Sequence, residues 1–295
     1  MDRMLRRHGK DPALISPLDR LAVIGDSGMG ALCYKPAGPF QWEAETGDLD
    51  ALAAECRAIL NHEETGDPDR IFTLAGSSGG ARPKIMTDEW IIKFPVSGDD
   101  PDSGLMEKAY MDCAGRCGIT VPETKLLPSR KCAGYFAVRR FDREKAEDGA
   151  LLRRHMLTAA ALLELDWRTP GMDYHTLMKL TKILCLGKSE ATEQMFRRMC
   201  FNVYAHNRDD HSKNFSFLYD DRTDRWNLAP AYDLTWSDTY YGEHTTTVNG
   251  NGRDPGEGDL LAVGKAAGLA PKKCRLIMEE IKAEADQLLA RFGRR

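Results

Sequence analysis

A chain of 295 residues is long enough for one large domain or two lobes with sizeable cores. Its 42% hydrophobic and 29% charged side chains make a globular rather than a disordered composition. With 41 basic against 45 acidic side chains the net charge is −4, which argues against a protein whose main task is to coat nucleic acid.

The first segment, "MDRMLRRHGKDPALISPLDR", has charges but no continuous apolar run behind them, so it does not read as a secretory signal. No later run approaches the roughly 18–20 apolar residues of a membrane span, and the expected location is cytoplasmic. "GDSGMG" (25–30) superficially suggests dinucleotide binding, but the glycine spacing fails and no helix pattern follows. Residues 46–61 carry apolar groups at Leu49, Leu52, Ala53, Cys56, Ile59 and Leu60, a helical period that Thr46 or Asp48 would cap. Residues 71–95 read as a short apolar run, a Gly/Ser loop, and a strand "EWIIKF" stopped by Pro95. A helix near 103–117 and strands near 123–128 and 134–140 follow.

From about Asp148 the pattern changes. "GALLRRHMLTAAALLELD", "DYHTLMKLTKILCLG" and "ATEQMFRRMCFNVYAHN" predict long helices, and 271–292 predicts another. Between them one hairpin is expected, "NFSFLY" and "WNLAPAYDLT" around the polar turn 220–225. The expected fold class is α+β and two-lobed, with a mixed N-lobe over 1–140 and a mainly helical C-lobe over 141–295. The eight cysteines are scattered, without a Cys-x-x-Cys pair, and Cys113 and Cys117 have an odd spacing for zinc. Reduced, mostly buried thiols are expected.

The densest chemistry lies in "HNRDDHSKNFSFL" (206–218). An antiparallel hairpin brings its open ends together, so Asn214 before the first strand should lie beside Asp233 after the second. An amide oxygen and a carboxylate are hard donors suited to magnesium. In phosphoryl transfer of the protein-kinase type a catalytic aspartate precedes a metal-binding asparagine by five residues. Asp209 keeps that interval to Asn214 and is the base candidate; Asp210 does not, and reads as a solvated or loop-ordering neighbour. "LAGSSGGARPKI" offers the bare amides of Gly79 and Gly80 to phosphates, but without Gly-Lys-Ser/Thr it is not a Walker A loop. Lys93, among apolar neighbours in its strand, either points to solvent or serves a site, and Glu107 in the next helix could orient it. Each element alone has an ordinary reading: a Gly/Ser turn, a solvent-facing lysine, a solvated acidic loop. His155 is either a satisfied helix histidine or a contact of the site. The order Gly loop, strand Lys, helix Glu, Asp-x4-Asn loop, hairpin and Asp points to phosphoryl transfer.

With these segments in place the sequence resembles, nearly end to end, the HipA family of bacterial serine/threonine kinases, the toxin halves of toxin–antitoxin pairs. "PLDRLAVIGDSGMGALCYKP" resembles the segment entering the N-lobe, "GSSGGARPK" the phosphate loop, and "WIIKFP" the nucleotide-lysine strand. "VRRFDR" resembles the hinge, "RRHML" the start of the C-lobe, "HNRDDHSKNFSFL" the catalytic loop, and "LAPAYDLT" the metal-aspartate segment. The resemblance implies ATP and Mg2+ as cofactors, Asp209 as base, Asn214 and Asp233 as metal ligands, and Lys93 on the nucleotide phosphates. It implies a hinge of Arg139 to Phe141 against adenine, and autophosphorylation of Ser77 or Ser78, which would repel the nucleotide phosphates. It further implies an aminoacyl-tRNA synthetase as protein substrate and restraint by a helix-turn-helix DNA-binding antitoxin, with any DNA contact running through that partner. Full-length members carry a further N-terminal subdomain before the "PLDR" segment, which here begins at residue 17. A short form without that subdomain is therefore expected, either with a separate small protein in its place or without that layer of control. A small-molecule kinase, or a catalytically silent scaffold of the same fold, are the alternatives.

Overall fold

The computed structural model describes residues 1–37, 47–61, 71, 82–96, 98–166, 169, 171–239 and 241–293. The chain forms two compact units, one of residues 1–105 with 123–154, the other of residues 106–122 with 155–295.

The first unit opens with two short helices, α1 (Asp2–Arg7) and α2 (Pro17–Ile24). In α2, Ser16 and Asp19 form a reciprocal capping box and Pro17 occupies the first turn, where its missing N–H costs nothing. Helix α3 (Leu49–Leu60) is capped by Asp48, whose side chain accepts from the Asp50 amide, so the nearer of the two sequence candidates serves; Thr46 lies outside the described residues. A four-stranded antiparallel sheet follows, β1 (Lys84–Met86), β2 (Trp90–Lys93), β3 (Thr124–Leu127) and β4 (Tyr135–Arg139), in the order β1-β2-β4-β3. The helix covers one face of it: Leu52, Ala53 and Cys56 pack with Ile85, Ile92, Phe94, Tyr135 and Ala137, all buried. Asp50 ties α3 to the β3–β4 connection, accepting from Ser129 Oγ at 2.7 Å, Tyr135 Oη at 2.8 Å and the Arg130 amide at 3.0 Å. Those donors hold its carboxyl well below the usual carboxylate range, the Ser129 hydroxyl most of all.

Past β4 the "VRRFDR" segment becomes a buried charge cluster. Asp142, 1% exposed, receives a two-pronged bond from Arg140 at 2.9 and 3.0 Å and another from Arg143 at 2.8 Å. The Gly30 amide donates to the same carboxylate at 2.8 Å, and Arg143 donates onward to the carbonyls of Gly28 and Gly30. "GDSGMG" is thus a strap wrapped on this ion cluster. A small antiparallel pair, β5 (Arg143–Lys145) with β6 (Leu151–Arg153), closes the unit.

The second unit is mainly helical. It takes most of α4 (Ser103–Arg116), then β7 (Met156–Thr158), the one-turn α5 (Ala159–Leu162), β8 (Met172–Asp173), α6 (Tyr174–Leu184) and α7 (Ser189–Tyr204). The hairpin β9 (Ser216–Asp220) with β10 (Arg225–Leu228), the short β11 (Thr246–Thr247), and helices α8 (Glu257–Ala266) and α9 (Pro271–Arg291) complete it. Helix α6 buries Tyr174, Leu177, Met178 and Thr181, spaced i, i+3, i+4, i+7, and α9 buries Cys274, Ile277, Met278, Ile281, Ala285 and Leu288 in the same rhythm. Both pack on α7, whose Met195, Phe196 and Met199 are fully buried. Each such side chain contributes about 1.5–3 kcal/mol of apolar burial.

The helix expected from "GALLRRHMLTAAALLELD" is the main departure. Only four residues of it are helical, while Leu151–Arg153 and Met156–Thr158 are strands, the latter paired with Ser216–Leu218 of β9. The expected hairpin is therefore part of a three-stranded sheet, β10-β9-β7. His155 accordingly lies before a strand, its ring 5.5 Å from that of Trp226 and its carbonyl accepting from the Tyr219 amide. All eight cysteines are free thiols, six of them buried. Among the described residues no helix is long and apolar enough to cross a membrane.

Candidate active site

Helix α7 ends at Tyr204, and the chain turns through His206, whose φ of +54° lies in the left-handed region. The loop that follows is clamped to a neighbouring strand of chain. Asn207 bridges to Ser237 in parallel, the Ser237 amide donates to the His206 carbonyl, and the Thr245 amide donates to the Arg208 carbonyl. Arg208 itself pairs with Asp238 at 2.8 Å.

The two adjacent carboxylates have opposite surroundings. Asp210 is fully buried and accepts from Tyr174 Oη at 2.9 Å, the Thr246 amide at 3.0 Å and His244 Nδ1 at 3.1 Å. A carboxylate only accepts, so His244 presents its proton on Nδ1. Tyr174 accepts in turn from Asn202, whose Oδ1 receives the Asn207 side chain, both at 2.9 Å. The network ties the loop to α6, α7 and the segment at β11. Of the two sequence readings of Asp210, loop ordering holds and solvation does not. Asp209 stands outside this network with its side chain 57% exposed, 3.9 Å from His211 Nε2. Its carboxyl is pushed above the usual carboxylate range by desolvation, with the charges of Asp233 and Asp210 adding to the rise and His211 opposing it.

The loop closes in a 3-10 turn over Ser212–Asn214. Asn214 Nδ2 donates to the Asp209 carbonyl at 2.8 Å, which leaves Oδ1 as the acceptor end of the amide. Asp233 follows β10 with φ +55°, a left-handed backbone that aspartate tolerates better than most side chains. Tyr232 Oη donates to the Lys213 carbonyl at 2.6 Å, so the residues preceding Asp233 and Asn214 are bonded to each other. Asp209, Asn214 and Asp233 are thus brought to one locality with an excess of negative charge. Among the described residues no group of three or more His, Cys, Asp or Glu is arranged to hold a metal ion. One amide and one carboxylate oxygen instead fit a hard cation that fills its shell with water and phosphate oxygens.

Glu107 belongs to the same unit; it is buried, 3% exposed, on α4. A cavity of about 700 Å3 also lies in this unit, lined by Tyr204, His206, Arg208, His244, Arg253 and Lys282 among others, but not by Asp209, Asn214 or Asp233. It adjoins the support of the loop rather than its reactive side chains.

In the first unit, Lys93 ends β2 on the sheet face opposite α3, half-buried, its ammonium 5.6 Å from the Phe136 ring. The register sets Lys84 of β1 directly across from it, and Lys84 is buried, 9% exposed. Two lysines on one half-buried face supply a cationic surface, and Lys84 was missed in the sequence, where the "RPKIM" context hides it in the end of the glycine loop. In the stretch expected as the hinge, Arg139 is exposed and pairs with Glu123 at 3.2 Å. The amides of Arg139 and Arg140 are taken by the carbonyls of Glu123 and Glu89, so a backbone contact to a base would fall to other groups of the stretch ending at Phe141. Ser77, Ser78, Gly79 and Gly80 lie outside the described residues.

The family described as HipA-like C-terminal domain matches residues 76–289. Two kinase candidates of Sinorhizobium fredii are similar in sequence. Y4dM is 30% identical over 175 residues, 54% of this chain and 40% of that protein; Y4mE is 28% identical over 205 residues, 63% and 46% respectively. The matches span less than half the length of either relative. Among solved structures, the Shewanella oneidensis toxin–antitoxin system HipA, HipB and its operator DNA contains a similar chain, with a TM-score of 0.71 and 19% identity over 98% of this chain and 74% of that one. At that identity the likeness is one of fold.

Proposed function

The chain belongs to the HipA-like C-terminal domain family, and from that premise we propose that it is an ATP-dependent serine/threonine protein kinase. The observation that carries this reading is the contrast between Asp209 and Asp210. One carboxylate is locked beneath the loop as its support, and the other is left exposed and more basic than usual, five residues before Asn214. Asp209 orients the substrate hydroxyl and accepts its proton as the oxygen attacks the γ-phosphorus; the bond from that phosphorus to the bridging oxygen breaks and ADP leaves. Asn214 and Asp233 would hold Mg2+, which when bound would supply charge neutralisation at the phosphates. Lys93, with Lys84 beside it, offsets phosphate charge, Gly79 and Gly80 meet the phosphates, and Arg139 to Phe141 border adenine. These nucleotide roles rest on the resemblance of the segments.

Ser77 or Ser78 is the proposed autophosphorylation site, an added charge of about −1.5 to −2 beside the nucleotide phosphates acting as an off switch. The resemblance supplies an aminoacyl-tRNA synthetase as the proposed target. A helix-turn-helix antitoxin is the proposed partner, supported by the presence of HipB and operator DNA in the Shewanella complex. Incubation with Mg-ATP beside the Asp209→Asn variant, followed by peptide mass spectrometry, tests the reading. Phosphate on Ser77 or Ser78 in the unmodified chain alone supports a live, self-limiting kinase. Bound ATP without phosphate on either chain, with transfer to a small hydroxyl compound, would replace it with a small-molecule kinase; no transfer at all would leave a scaffold.

A further inference from the structure

The segment Ala229–Asp233 leaves β10 and ends on a residue with left-handed backbone. For a residue other than glycine such a conformation costs on the order of 1–3 kcal/mol and persists only where the surroundings over-determine it. Three tethers do so here, all within the second unit. Arg198, 3% exposed on α7, donates from Nη2 to the Ala229 carbonyl at 2.5 Å, while its Nε and Nη1 find no hydrogen-bond partner among the described residues. The Ala231 amide donates to the Thr120 carbonyl at 2.8 Å. The third tether, Tyr232, differs from the others in what it reaches. Its hydroxyl spends its one proton on the Lys213 carbonyl and so accepts from Ser216 Oγ, a fully buried side chain at the start of β9. Arg198 and Thr120 anchor the Asp233 segment to the helical body. Tyr232 alone of the three spans to the opposite loop, one residue from Asn214.

We propose that Tyr232 is a positioning residue that sets the separation of Asn214 and Asp233, and through it the affinity of the site for a divalent cation. The hydroxyl touches neither substrate nor metal. Its two hydrogen bonds join the residue before Asp233 to the Lys213 carbonyl, one residue before Asn214, and to Ser216 Oγ, two residues after it, so that the two oxygens arrive at a fixed distance rather than sampling several. Groups that orient metal ligands in this way affect metal affinity about 10- to 100-fold when removed. The inference rests on Asn214 and Asp233 being the metal ligands.

The test is a Mn2+ titration followed by electron paramagnetic resonance, with a non-hydrolysable ATP analogue at saturation, on the unmodified chain, Tyr232→Phe and Asp233→Ala. Tyr232→Phe keeps the ring and removes only the hydroxyl. It is expected to weaken Mn2+ binding by about 10- to 100-fold, to leave metal-free nucleotide binding in EDTA unchanged, and to regain transfer at raised Mn2+. A purely structural tyrosine would lower the melting temperature without moving the metal dependence. If Asp233→Ala loses Mn2+ while Tyr232→Phe binds within about twofold of the unmodified chain, the positioning role is refuted and the ligand assignment stands. If Asp233→Ala binds Mn2+ as tightly as the unmodified chain, the ligand assignment is wrong and the positioning role falls with it. Should Tyr232→Phe melt below the assay temperature, the titration is repeated below its melting point, where an Mn2+ affinity equal to that of the unmodified chain refutes the role equally.

Discussion

Exchanging each of the two adjacent aspartates for asparagine in turn should separate chemistry from support. In Asp210→Asn the shape is kept, but an acceptor-only group becomes one with an N–H2 end. In the native protein Oδ1 takes the Thr246 amide, and Oδ2 takes both Tyr174 Oη and His244 Nδ1. Asparagine can keep its oxygen toward Thr246, which turns its amide toward two former donors. His244 can present the other tautomer and accept. Tyr174 already receives a hydrogen bond from Asn202 and has no acceptor left for its own proton. One orphaned buried donor costs about 1–3 kcal/mol, and the loss of charge-assisted bonds adds to it, so about 2–4 kcal/mol is expected. For a chain of this size that lowers Tm by roughly 3–6 °C. Asp209→Asn changes an exposed side chain without such partners and should shift Tm by no more than about 1–2 °C, while transfer from ATP falls by about 10²- to 10⁴-fold. Differential scanning fluorimetry and a radiometric transfer assay on the same preparations give both numbers. Full activity in Asp209→Asn, or an unchanged Tm in Asp210→Asn, would refute the division of labour between the two residues.

Asp142→Asn leaves Arg140 and Arg143 buried opposite a neutral amide, and should cost about 3–5 kcal/mol in urea denaturation. Burial alone would raise the Asp142 carboxyl, but the Arg140 hydrogen bond and the charges of Arg140 and Arg143 outweigh it and leave it depressed. Its stabilisation is therefore complete above the unfolded value near 4 and is lost as pH falls through the lower folded value, an acid-side loss that Asp142→Asn should lack. Gly264→Ala would set a Cβ 2.7 Å from both Cys274 Sγ and the Phe196 ring, where α8 meets α7 and α9, and should destabilise by about 1–3 kcal/mol in the same assay. Lys93→Met should weaken ATP binding, measured calorimetrically, by about 10- to 100-fold with little change in Tm, because the lost group is a charge-assisted donor on a half-buried face. Unchanged affinity would mean that the lysine plays no part in nucleotide binding.

Much of the architecture is written in local periodicity and in spacing along one stretch of chain. Helices α3, α4, α6, α7 and α9 stand within a few residues of their apolar patterns, because their buried faces repeat every 3.6 residues wherever the partner comes from. The five-residue interval from Asp209 to Asn214, joined by a hydrogen bond between them, was legible for the same reason. Other features depend on partners distant in sequence. "LLRRHML" has the composition of a helix, yet Met156–Thr158 is a strand because β9, some sixty residues on, offers an unpaired edge, and pairing outweighs a local preference of a few tenths of a kcal/mol per residue. Asp209 and Asp210 are identical side chains one position apart. Tyr174, His244 and Thr246 bury one of them, the other faces outward, and no local pattern distinguishes them. The tether from Tyr232 to Lys213 is of the same kind, since a hydroxyl has no period, and its meaning appears only when the two loops it joins have been brought together.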